Sequence, residues 1–207
     1  MSDNAVIEKA HGYVGWPHLF HQTNLHVFNF MVRLGLKPEH KLLDVGAGCL
    51  GPGRYLSMYL DPCHYVVIEP NSEILLAGLL EIGDVVRARG IELHQFDDFM
   101  LTRAGPMQYD YVLAHSILTH ASKQQALLIA DQALKALKLG GIFAASYSWG
   151  GMDDPRDEWV YPAGVLRTDD FIQYAMLSAG FEKWQRWRPD ETGHPVQHTW
   201  SIATKGQ

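Results

Sequence analysis

The sequence predicts an α/β fold: a doubly wound, mostly parallel seven-stranded sheet with an antiparallel C-terminal hairpin, preceded by an N-terminal helical cap. Two observations lead there. Five short apolar, β-branched or aromatic runs alternate with segments of helical spacing, the order that builds a parallel sheet with helices on both faces. Two further runs then follow one another with no helix between them, which only antiparallel neighbours allow. At 207 residues, 47% of them hydrophobic and 19% charged, the chain buries a sizeable core and is expected to form one domain, residues 1–207, with the cap at 1–40 and the sheet core at 41–207.

The elements follow in order. Pro17 to Gly35 has the spacing of an amphipathic helix, with Phe20, Val27, Phe28, Met31 and Leu34 on one stripe. Its other face carries His18, Gln22, His26 and Asn29, either an ordinary solvated face or a set of hydrogen-bonding side chains turned over a ligand. Lys41 to Val45, His64 to Glu69, Ile91 to Gln95, Tyr109 to His115 and Ile142 to Tyr147 read as strands, each bounded by Gly, Pro, Asp or Asn. Before the fifth lies a helix opened by Ser122 with Gln125 as a capping box and closed by Gly140 and Gly141. A helix from Thr168 to Ala179 precedes the last two strands, Lys183 to Arg188 and Gln197 to Thr204, which a turn with Gly193 and Pro195 joins at the sheet edge.

Composition narrows the function. A formal charge of −6 with no Lys/Arg cluster disfavours nucleic acid, so a small-molecule partner is expected. No apolar run is long enough to span a bilayer, and the polar start lacks the features of a signal peptide, so the expectation is a cytoplasmic protein without a membrane partner. Cys49 and Cys63 form no ligand pattern. Oligomeric state is not legible.

The chemistry concentrates after the first strand, in Leu42-Leu43-Asp44-Val45-Gly46-Ala47-Gly48-Cys49-Leu50-Gly51-Pro52-Gly53. Glycines at a strand-to-helix turn let backbone approach a ligand, although glycines at a turn are often only turns. Gly46, Gly48 and Gly51 satisfy G-x-G-x-x-G, and Glu69 ends the second strand where a carboxylate grips ribose hydroxyls, so an NAD(P)-dependent oxidoreductase is a rival reading. Against it stands Asp44, whose charge repels a pyrophosphate and tolerates a cationic amino and sulfonium group. Asp97 and Asp98, after the third strand, suit an adenine amino group. Singly, Asp44 could cap a turn and Glu69 the helix opening near Asn71.

Together, Leu-Asp-Val-Gly-Ala-Gly, the acidic Glu69 with Pro70-Asn71, the Phe96-Asp97-Asp98 turn and the strand Tyr109-Asp110-Tyr111-Val112-Leu113-Ala114 followed by His115-Ser116 resemble the class I S-adenosylmethionine-dependent methyltransferases from about Leu36 to the C-terminus. The resemblance implies a Rossmann-like sheet of seven strands and S-adenosylmethionine as cofactor, with S-adenosylhomocysteine (SAH) as product. It places Gly46, Ala47, Gly48 and Gly51 at the amino-acid part of the cofactor beside Asp44, and Glu69 with Pro70 and Asn71 at the ribose. Asp97 or Asp98 would then meet the adenine, and Ala114, His115 and Ser116 the methionine end. Leu50 departs from the pattern: many members carry a third glycine there, whereas here Gly51 and Gly53 follow, as in a bacterial subgroup with a longer glycine loop.

The expected reaction is methyl transfer to a hydroxyl or amine of a metabolite or saccharide, with His115 or His120 as candidate general base. A protein that binds the cofactor without methylating is a third reading. The Ala114-His115-Ser116-Ile117 stretch lacks the motif of adenine-N6 methyltransferases. His194 and His198 share a face if extended, but Asp190 and Glu191 aside, no third ligand falls at an evident spacing, so no metal is expected. The loop from Ser148 to Val165, rich in aromatics and acids, is the expected substrate lid.

Overall fold

The computed structural model describes residues 2–207. It contains two compact units, one ending at Asp97 and one beginning at Asp98.

The first unit opens with helix α1 (Asp3–Tyr13), which the sequence pattern did not predict. A 3-10 turn at Pro17–Leu19 leads into α2 (Phe20–Arg33), so the expected helix starts three residues late and ends two early. Its buried residues are Phe20, Asn24, Val27, Phe30 and Met31, while Phe28 and Leu34 are only half-buried. Then follow β1 (Leu42–Val45), α3 (Gly53–Tyr59), β2 (Tyr65–Ile68), α4 (Ser72–Arg89) and β3 (Glu92–His94). The strands pair in parallel in the order β3-β2-β1. Every residue of β1 and β2 is buried, the mark of a parallel strand covered on both faces.

Local chemistry sets the ends of α4. Asn71 accepts from the N–H groups of Glu73 and Ile74, and Gly90 closes the helix in the left-handed conformation. In its middle, Gly78 lies directly on the chain after β1: a Cβ there would stand 2.6 Å from the carbonyl oxygen of Cys49. Gly78→Ala is therefore expected to lower stability by up to about 2 kcal/mol, the ~1–3 kcal/mol cost of overpacking against backbone less the ~1 kcal/mol helix-propensity gain. Urea denaturation measures it, and a more stable variant would refute the close contact.

The second unit carries β4 (Tyr109–Ala114), α5 (Lys123–Ala136), β5 (Leu137–Trp149), β6 (Leu166–Arg167), α6 (Asp169–Ala179), β7 (Lys183–Trp187), the one-turn α7 (Pro189–Thr192) and β8 (Thr199–Thr204). The order is β4-β5-β8-β7, with β6 against the end of β5. β4 and β5 run parallel, while β8 pairs antiparallel with both β5 and β7. The expected C-terminal hairpin is present, and β6 is an eighth strand too short to leave a pattern. The Ser122/Gln125 capping box forms as expected. α5, however, ends at Ala136, and Gly140 and Gly141 fall in an irregularity near the start of β5, where the register against β4 shifts. The α/β class, the mostly parallel strands and the antiparallel C-terminal pair agree with the sequence reading.

Candidate active site

In the first unit the glycine loop is tied to the end of β2. Gly46 and Ala47 donate N–H bonds to the Ile68 carbonyl, at 2.8 and 3.2 Å. Gly46 and Gly48 have φ of +68° and +59°, backbone that a side chain would strain. Glu69 is buried and uses both carboxylate oxygens on backbone: Gly48 N–H donates to Oε2 and Asn71 N–H to Oε1, each at 2.8 Å. Burial raises its pKa, and the two N–H donors act against that. Glu69 thus bridges the loop and the start of α4, whose cap is Asn71 rather than Glu69. Pro70 and Asn71 are exposed.

Asp44, on buried β1, has its carboxyl pushed up to about 7 by burial. The Tyr65 hydroxyl donates to its Oδ2 at 2.6 Å and opposes that rise, whereas the nearby Glu69 charge adds to it. Tyr65 escaped the sequence reading because it looks like any apolar strand residue. Gly53 makes room for it, since a Cβ there would lie 2.8 Å from the Tyr65 hydroxyl. Gly51 has a similar packing role: its Cβ would lie 2.4 Å from Nδ2 of Asn24. Asn24 is buried at 7% exposure, and that Nδ2 has no hydrogen-bond partner among the described residues. The polar residue that α2 buries is therefore Asn24, on the apolar stripe. His18, Gln22 and Asn29 are exposed, and His26 is half-buried with its pKa lowered by burial.

Asp97 is an exposed residue at the end of the first unit. Asp98 opens the second and is held in a local turn, accepting from Met100 N–H at 3.1 Å and from Arg103 at 2.7 Å. The Met100 bond leads the causes that keep its carboxyl below the usual range.

β4 ends at buried Ala114. Ser116 follows with φ of +60°, and its N–H donates to Ser146 Oγ at 2.7 Å. His115 does not stand alone: its Nε2 lies 3.1 Å from Nε2 of His194, with the rings stacked at 5.4 Å. The His198 ring lies 5.9 Å from His115 and 4.9 Å from His194, and its Nδ1 is 3.4 Å from Ser146 Oγ. Trp200 closes one side of the group, 5.7 Å from His115 and 5.9 Å from His194. Burial lowers the His198 pKa to about 4, His120 adding to the effect, so its imidazole is neutral near pH 7. The segment before β8 is a turn, as the Gly193 and Pro195 pattern predicts, so His194 and His198 do not lie along one extended strand, yet they still face one another.

His120 belongs to a different environment. Its Nδ1 is 2.7 Å from the Ala163 carbonyl, so Nδ1 carries the proton and Nε2 the lone pair. Burial lowers its pKa, with the Ala163 bond acting the other way. Tyr161 and Trp159 stand 4.9 and 5.7 Å from its ring, and Phe99 lies 5.6 Å from Trp159.

The Ser148–Val165 segment that carries those aromatics is tied down from beneath. Val160 and Val165 donate to the carbonyls of His120 and Thr119. Fully buried Arg167 donates to the carbonyls of Asp154 and Ala121, both at 2.8 Å. Asp153 accepts from Thr168 and pairs with Lys123, and Asp154 is engaged by Arg156, so neither acid is free to attract a ligand. Met152, 79% exposed, and Trp149, 51% exposed, remain on the surface.

The chain has the fold of the class I S-adenosylmethionine-dependent methyltransferases. It superimposes on one such enzyme from Leishmania major with a TM-score of 0.72 at 14% identity, covering 98% of this chain and 82% of that one. The magnesium protoporphyrin IX methyltransferase of Synechocystis, solved with bound SAH, matches with a TM-score of 0.67 at 14% identity over 90% of this chain and 83% of the other. In sequence, the sterol 24-C-methyltransferase of Schizosaccharomyces pombe is 26% identical over 155 residues, 68% of this chain. The chain spans 39% of that relative's length. No protein-family model matches.

Proposed function

We propose that the chain transfers a methyl group from S-adenosylmethionine to a hydroxyl or amine of a small molecule, with His120 as the proton acceptor. The observation that carries the cofactor reading is the buried acidic pair around the glycine loop, Asp44 at the end of β1 and Glu69 at the end of β2. The residues suit such a ligand. Asp44 is a desolvated carboxyl that a cationic amino or sulfonium group would draw into its charged form, and Asn24 Nδ2 is a buried donor available to a carboxylate. Glu69 would take the ribose hydroxyls on lone pairs its backbone bonds leave open. Asp97 and Asp98 remain the candidates for adenine, of which Asp97 is not held in the Arg103 turn. When bound, the cofactor supplies an electrophilic methyl group.

His120 is preferred over His115 as base because its tautomer is set with Nε2 available, while His115 Nε2 faces His194. The acceptor would lie along the Trp159 and Tyr161 side chains. We further propose the 1–40 cap and 41–207 core as one functional domain, acting in the cytoplasm without nucleic acid. Among the described residues no helix is long and apolar enough to cross a membrane.

Titration calorimetry with S-adenosylmethionine and SAH tests the reading, and failure of both to bind would end it. NADH binding that S-adenosylmethionine does not displace would favour the oxidoreductase. Cofactor binding without SAH release from any hydroxyl or amine offered would favour the non-methylating binder. With an acceptor in hand, kcat/KM is expected to be flat above the His120 pKa, which lies below 6.5, and to fall about tenfold per pH unit beneath it as the ring gains a proton. His120→Ala should lower the rate by about 100-fold or more and flatten that limb. An unchanged profile in the variant would remove His120 from the role.

A further inference from the structure

We propose that His115, His194 and His198 form a binding site for a divalent transition-metal ion of the zinc class, with a coordination position left open. Each ring offers one nitrogen, and the three nitrogens lie within 4.8 Å of one another. His194 and His198 come from the turn before β8. The third ligand comes from the end of β4, 79 residues from His194, which is why no sequence spacing announces it.

The geometry fits a tetrahedral ion. Zinc–imidazole bonds of about 2.0–2.1 Å place neighbouring ligand nitrogens roughly 3.3 Å apart, close to the 3.1 Å between the Nε2 atoms of His115 and His194. The third nitrogen, on half-buried His198, lies within 4.8 Å of the other two and closes in on the ion to complete the set. The supports are those of a metal site. His198 Nδ1–H can donate to Ser146 Oγ at 3.4 Å, which leaves Nε2 as the ligand atom. The backbone N–H of Ser116 donates to the same Ser146 Oγ at 2.7 Å, fixing the hydroxyl beside the strand that bears His115. Trp200 walls the group from one side. Three imidazoles are a ligand set for zinc, copper or nickel, and three protein ligands with a fourth place for water or a substrate is the pattern of reactive zinc sites.

The Val196 contact opposes the ion. Val196 N–H donates to His194 Nδ1 at 3.3 Å, so without metal the His194 proton sits on Nε2 and points at His115. Ligation through His194 Nε2 moves that proton to Nδ1 and breaks this long hydrogen bond, a small loss beside a metal–nitrogen bond.

The test needs tag-free full-length protein, stripped with a chelator, and neither cofactor nor acceptor, so its result is independent of methyl transfer. Addition of Co(II) alone is expected to give intense visible d–d bands of a four- or five-coordinate ion saturating at one equivalent, and Zn(II) should abolish them. His198→Ala should weaken Zn(II) binding by about 100-fold or more, since even outer-shell changes at such sites cost 10–100-fold. His18→Ala, at an exposed position, should leave it unchanged. Only weak, octahedral-type absorption from the unaltered protein, or equal affinity in the His198 variant, overturns the site. Should the His198 variant lose its native circular dichroism, the Co(II) spectrum of the unaltered protein decides alone.

Discussion

Glu69→Ala is expected to weaken S-adenosylmethionine and SAH binding by about 100-fold, roughly 2.8 kcal/mol at 1.4 kcal/mol per tenfold. In the ligand-free chain this carboxylate already holds the Gly48 and Asn71 N–H groups. Hydrogen bonds to a charged group contribute about 1.5–3 kcal/mol each. The truncation therefore removes an acceptor for the ribose and also frees the loop meant to meet the amino-acid part. Glu69→Gln should fall between the two, because its amide keeps one acceptor oxygen but turns an N–H toward a backbone N–H. Titration calorimetry checks both variants. Unchanged affinity in the alanine variant would separate Glu69 from the cofactor.

Arg167→Ala is expected to cost about 4 kcal/mol of stability, or a drop of about 10 °C in Tm for a chain of this size. Arg167 has no solvent exposure, and its guanidinium serves the carbonyls of Asp154 and Ala121 from one planar fork. Its loss leaves those oxygens without their donor and a void beneath the segment bearing Trp159 and Tyr161. Arg167→Lys should rescue little, since a single ammonium on a flexible stem does not reproduce the fork. Thermal unfolding followed by circular dichroism measures the change, and a loss under 1 kcal/mol would mean the segment is anchored otherwise.

These two residues also mark what could be read without coordinates. The position of Glu69 beside the glycine loop was legible because a strand-ending acid at a set distance from such a loop is a pattern of types and spacing. All strands but β6 were legible for a similar reason: Leu42–Val45 and Tyr65–Ile68 are unbroken buried runs, and helix ends such as Ser122/Gln125 use short-range capping chemistry. Arg167 was not legible, because an arginine after a long loop reads as surface until its carbonyl partners are known. Helix α1 was missed because Asp3–Tyr13 has no clear apolar stripe, its one fully buried residue being Ala10. Asn24 and Tyr65 hid inside apolar patterns: the Tyr65 hydroxyl meets Asp44 on β1, while Asn24 Nδ2 is buried with no hydrogen-bond partner among the described residues. The acids Asp153 and Asp154 fit either attraction of an amine or solvation of an exposed loop by sequence, and the fold instead engages them with Lys123, Thr168 and Arg156. The place of His115 directly after the fourth strand was legible, yet its pairing with His194 arises only from the fold.

Within the first unit, one carboxylate oxygen of Glu81 on α4 is shared by His11 of α1 at 2.9 Å and Arg54 of α3 at 3.0 Å. Phe20 of α2 stacks on His11 at 3.8 Å, with the Arg54 guanidinium 5.1 Å from its ring. Four helices thus meet on a single oxygen and a single ring. Changes at positions 11, 20, 54 and 81 do not act independently, because altering Glu81 alone strands two partners while altering all together strands none. For substitution the four positions are thus one coupled set, in which the effect of each change depends on which of the other three residues is still present.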